Sequence, residues 1–140
     1  GEWAGIRLGL TDTGSRALIG LRVLVAMPDA DERGLAALVA EQAGAAVVRV
    51  QGAREALAAS RRAASSRAPF DLALVAAEAV DPTLLDDLAG VPLLVVDGED
   101  SPYRFALDRW PDCLGVLGRP LGRRQLLAAT LRAKTSPFGI

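Results

Sequence analysis

The sequence predicts an α/β fold, a doubly wound sheet of five parallel strands in the order 2-1-3-4-5. Three observations predict it. Short apolar runs alternate with stretches of helical period along residues 21–134. The runs are continuously apolar, which marks strands covered on both faces. Five such strand-helix units fit into about 115 residues, and this strand order is one common way of winding them.

Taken in order, "LRVLVA" at residues 21–26 is a β-branched run and forms the first strand. "DADERGLAALVAEQAG" follows as a helix, with Leu35, Leu38 and Val39 expected on one face and Gly44 as its stop. "AAVVRV" is strand two, and "GAREALAASRRAA" is an alanine-rich helix. "LALVA" at residues 72–76 is strand three. Asp81 then caps a helix with Pro82 in its first turn, and Gly90 ends it. "PLLVV" at residues 92–96 is strand four. "SPYRFALDRW" reads as a short helix, with Ser101 as cap, Pro102 at the first position and Pro111 past the end. "GVLG" is strand five and "GRRQLLAATLRAK" the last helix. Residues 1–20 read as a linker or an added strand, 21–135 as the domain and 136–140 as a C-terminal linker. The chain opens on Gly rather than Met, which reads as a piece of something longer.

Composition bounds the function. The chain has 140 residues, is 51% hydrophobic and 24% charged, and so reads as one globular domain. Its net charge of −1 argues against bulk binding to DNA, RNA or an anionic membrane, which need a basic surplus. No apolar run reaches the ~18 residues of a membrane span, and no signal peptide is visible. The cysteine Cys113 stands alone, so no internal disulfide forms and a cytoplasmic location is expected. There is no His, which removes His-based triads, His-ligated metal and phosphohistidine chemistry. One Cys without His makes no zinc site, and no metal is expected. Lys134 is the single Lys beside fifteen Arg, which reads as a coding bias or as a preference for the planar Arg fork.

From residue 21 to 134 the chain resembles the receiver domain of two-component signalling, the flavodoxin/CheY-like fold. The resemblance rests on segment order, "FDLALV", the proline-led "VPLLVV" and "GVLGRPLGRRQLLAATL". It implies an acidic pair after strand one and an acceptor aspartate after strand three, which hold Mg²⁺ through oxygen. It also implies a Ser or Thr after strand four and a Lys after strand five. Matched onto this sequence, those positions hold Met27 and Pro28, Ala76, Asp97 and Arg119. Every one is changed. Alanine accepts no phosphoryl group, and Met with Pro binds no Mg²⁺. Asp29, Asp31 and Glu78 lie close by, but the apolar pattern sets the register that keeps Ala76 at the strand end. Asp97 and Arg119 are expected on neighbouring strand ends, where they either fill the vacated pocket as a salt bridge or form a surface pair worth at most about 1 kcal/mol. The domain is therefore expected to be a pseudo-receiver, a regulatory domain and not an enzyme, of the kind found in hybrid histidine kinases.

One stretch replaces the lost chemistry. Residues 101–112 hold Tyr103, Phe105 and Trp110, half of the aromatics of a chain that is 4% aromatic, interleaved with Arg104 and Arg109. A Tyr103-Leu107-Trp110 stripe serves a helix docking on its sheet; the second face of Phe105 and Arg109 is left over for stacking a nucleobase. "RWPD", Arg109 to Asp112, fits R-x-x-D, in which Arg holds guanine O6 and N7 and the carboxylate accepts from the N1–H and N2–H₂ edge. The pattern alone is weak, since about one match arises by chance. With its aromatics it is similar to the cyclic di-GMP site of pseudo-receivers in hybrid kinases of the ShkA type. That resemblance implies Tyr103, Arg109 and Asp112 as ligand residues, with Trp110 and Arg104 as neighbours. It implies cyclic di-GMP as a regulatory ligand, no required cofactor, and release of an autoinhibitory contact with a kinase catalytic domain or a second receiver domain of the same chain. The alternative is a docking module without small ligand, in which the same aromatics anchor a partner protein.

Overall fold

The computed structural model describes residues 18–97, 113–119 and 121–134. Strand β1 (Arg22–Ala26) leads into helix α1 (Ala30–Gln42). Strand β2 (Ala46–Val50) and helix α2 (Ala53–Ser65) follow. Strand β3 (Leu72–Ala76) runs into a 3₁₀ turn, Ala77–Ala79, and then helix α3 (Pro82–Asp87). Strand β4 (Leu93–Val96), strand β5 (Cys113–Leu117) and helix α4 (Arg123–Lys134) complete the described elements. All pairings are parallel and the strand order is β2-β1-β3-β4-β5, as the sequence predicts.

Alternation along each strand divides the interior into two cores, because successive side chains leave opposite faces. Val23, Val25, Leu72, Leu74, Leu94 and Val96 meet α1 and α4 on one side. Leu24, Ala73, Val75, Leu93 and Val95 meet α2 and α3 on the other. Every residue of β3 and β4 is buried, while the edge strand β2 is half open to solvent. This explains why the central runs read as continuously apolar.

The helices start and stop on chemistry local to them. The Asp29 carboxylate accepts from the amides of Asp31 and Glu32, 2.8 and 3.0 Å away, and caps α1. The Asp81 carboxylate accepts from Thr83 and Leu84 and caps α3, with Pro82 in the first turn. Gly44, with φ +101°, turns the chain out of α1, and an added Cβ there would strike the Ile19 side chain. Gly90, with φ +89°, does the same after α3.

The buried face of α1 keeps Val39 and Leu35 of the expected three residues but not Leu38. The buried residues of α1 are Ala36, Ala37, Val39 and Ala40, continued by the capping Ala43, whereas Leu38 is 44% exposed. The apolar residues of α1 run nearly around the helix, so spacing alone does not choose a face. Small alanines let α1 sit close against the sheet, and that choice turns Leu38 to solvent. At the other end of the domain, Leu18 is buried in the first core and its amide donates to the Ala43 carbonyl at 2.8 Å. Among the described residues no helix is long and apolar enough to cross a membrane.

Candidate functional site

The carboxyl ends of β1, β3, β4 and β5 open on one side of the sheet, where such folds place their sites. Met27 follows β1 and is wholly buried, its amide donating to the Val50 carbonyl at 3.1 Å. Pro28 comes next and is exposed, and Asp29 is already committed to capping α1. Ala76 ends β3 with no exposed surface, opposite Val96 of β4. Asp97 follows β4, is 1% exposed, and its amide donates to the Leu117 carbonyl at 2.9 Å.

Arg119 lies two residues beyond β5 and organises the site. Its Nε and Nη2 donate to Glu32 at 2.7 and 3.1 Å. Its Nη1 and Nη2 donate to Glu78 at 2.7 Å each. Glu32 comes from the first turn of α1 and Glu78 from the 3₁₀ turn after β3. The expected bridge between Arg119 and Asp97 is therefore replaced. The guanidinium turns to two glutamates at the cleft surface, where its planar fork meets each carboxylate with two hydrogen bonds. Glu32 went unnamed in the sequence reading, because it stands 87 residues from its partner and its helical position says nothing of that.

The electrostatics follow from this geometry. Hydrogen bonding from Arg119 holds the Glu78 carboxyl below its ordinary value, against an opposing effect of burial. The two glutamates, Glu78 foremost, hold the Arg119 guanidinium above its ordinary value. Arg33 adds a further tie, donating to the Met27 carbonyl at 2.9 Å. Pro28, Asp29, Glu32, Glu78 and Arg119 together line a cleft of about 390 Å³. Among the described residues no group of three or more His, Cys, Asp or Glu is placed to hold a metal ion.

Met27, Pro28, Ala76, Asp97 and Arg119 all follow or end strands at one end of the sheet. Tyr103, Arg104, Arg109, Trp110 and Asp112, and the short helix expected around them, lie outside the described residues.

Comparison with solved structures matches the fold. The chain is similar to the chemotaxis response regulator CheY4 of Vibrio cholerae, at 20% identity and a TM-score of 0.65, over 81% of this chain and 98% of that one. It has the fold of a receiver domain. The signal receiver domain of an HD domain-containing protein from Pseudomonas fluorescens Pf-5 is similar at 18% identity and a TM-score of 0.66, over 82% and 94% of the two chains. A putative pilus assembly-related protein from Burkholderia pseudomallei is similar at 26% identity and a TM-score of 0.63, over 86% and 92%. No family model matches the chain, and no curated protein matches it. On this receiver fold, the end of β3 carries a methyl group where the resemblance implies an acceptor carboxylate.

Proposed function

We propose that this domain is a regulatory module of two-component signalling that transfers no phosphoryl group and works through the contacts it makes. One observation carries this reading. At the strand ends of a receiver fold, the buried Met27 and Ala76 offer no oxygen, and Glu32 and Glu78 are bound to an internal arginine. The position of the expected acceptor therefore holds no carboxylate, and the cation at this end of the sheet, Arg119, is already engaged by two glutamates. A change of state has to come from a ligand or a partner.

The finer reading is a pseudo-receiver of a cytoplasmic hybrid histidine kinase that binds cyclic di-GMP. Its support is in the sequence: Tyr103 as the aromatic of the site, Arg109 and Asp112 for the guanine edges, and Trp110 and Arg104 as their neighbours. The regulated contact is with a kinase catalytic domain or a second receiver domain of the same polypeptide. A ligand that binds only the undocked domain shifts the docking equilibrium by its differential affinity. Roughly 3 kcal/mol changes the released fraction more than a hundredfold.

Calorimetric titration of the chain with cyclic di-GMP tests this, with GTP and cyclic di-AMP as controls. Binding at micromolar or lower concentration is expected, lost in Arg109→Ala and in Tyr103→Ala while the fold is kept. Absence of heat with every nucleotide rejects the dinucleotide and leaves the protein-docking module. Incubation with acetyl phosphate and Mg²⁺ is expected to leave the mass unchanged; a phosphoryl adduct overturns the whole reading.

A further inference from the structure

Glu32 and Glu78 belong to different elements and carry the same charge, yet both close on one guanidinium. Arg119 comes from a third element, so the cluster joins the first turn of α1, the turn after β3 and the turn after β5. Asp29 lines the same cleft and adds negative charge, while Arg33 reaches the carbonyls of Met27 and Pro28 rather than the glutamates. Like charges converging on a partly buried cleft repel one another, the more strongly as water is excluded. A cation placed between them reverses the sign of their effect on each other.

We propose that Arg119 is a built-in counter-cation that clasps these three turns into one unit and makes the two glutamates depend on each other. Each glutamate holds the arginine in position for the other. With Arg119 present, Glu32 and Glu78 stabilise the fold together; with its charge removed, each destabilises the fold through the other. The chain thereby presets its strand-end cleft with its own charges. This inference rests on the geometry of the cluster and is independent of any dinucleotide ligand.

Urea unfolding of the whole chain tests it. In the otherwise unaltered chain, Glu78→Gln is expected to lower the folding constant roughly twofold, as for a half-exposed ion pair. In an Arg119→Gln chain the same substitution is expected to raise the folding constant, and Glu32→Gln is expected to show the same reversal. An effect of one sign in both backgrounds overturns the proposal and leaves two unrelated surface pairs. A second measurement covers the case in which Arg119→Gln does not fold. In Glu78→Gln, which keeps Arg119, amide hydrogen exchange at Asp31 and Glu32 in α1 is expected to quicken roughly threefold, because the clasp loosens across elements. Exchange that changes only around Val80, on the element bearing the substitution, overturns it as well.

Discussion

At the scale of single residues, Ala76 decides what the strand end can do. Ala76 has no exposed surface on a strand that lies between β1 and β4, and the nearby guanidinium of Arg119 is already held by Glu32 and Glu78. Ala76→Asp therefore places a charge in a dry site rather than restoring an acceptor. It is expected to cost about 3 kcal/mol by urea unfolding and still to take no phosphoryl group from acetyl phosphate by mass. Glu78 gives the pH dependence. Its folded-state pKa is lowered by Arg119, so its stabilisation is complete above the ordinary carboxylate range. It is lost as pH falls through the folded value. With its side chain 50% exposed, the contribution is about 0.5 kcal/mol after screening. Glu78→Gln is expected to flatten the acid side of a stability–pH curve by that amount and to leave its alkaline side parallel to that of the parent.

At the scale of elements, α1 separates what pattern reveals from what packing decides. Its end at Gly44 is legible as local chemistry, and so are Asp81, Pro82 and Gly90 around α3; the Asp29 cap at its start is seen in the structure. The face it buries is not legible. Leu35, Leu38 and Val39 look equally suited to a core, and the sheet takes Val39 and part of Leu35 with a set of alanines and leaves Leu38 outside. Val39→Ala is accordingly expected to cost about 2 kcal/mol and Leu38→Ala less than about 0.5 kcal/mol in denaturant unfolding. Gly44→Ala is expected to cost about 2 kcal/mol, since the left-handed backbone and the approach of Ile19 penalise the same added atom. The strand-end site divides in the same way. Met27, Pro28, Ala76, Asp97 and Arg119 come from matching the receiver resemblance onto strand ends, which are local features of the apolar runs. The pairing of Arg119 with Glu32 depends on a fold that closes 87 residues of chain, and no local pattern encodes it.

At the scale of the whole molecule, one sheet serves two cores. Leu24 points into the core under α2 and α3, and Leu74 into the core under α1 and α4. β1 and β3 are hydrogen-bonded neighbours, so neither core can dissolve without tearing the ladder that both need. Leu24→Ala and Leu74→Ala are each expected to cost about 3 kcal/mol. Each is expected to move a single cooperative transition, with circular dichroism and tryptophan-free probes of either face coinciding. A split transition would show that the two layers unfold separately.

The anchoring of Leu18 has a mechanical consequence. Its amide is tied to Ala43, its side chain is sunk among the first core, and β1 begins four residues later between β2 and β3. Tension applied at residue 18 and at the carboxyl end of β3 runs along the strands rather than across them. The load then falls on all the hydrogen bonds of the β1–β3 ladder at once, and they share it instead of parting in succession. Along that axis the domain is a stiff link, and a pull arriving through residue 18 is transmitted to the strand ends before the sheet yields.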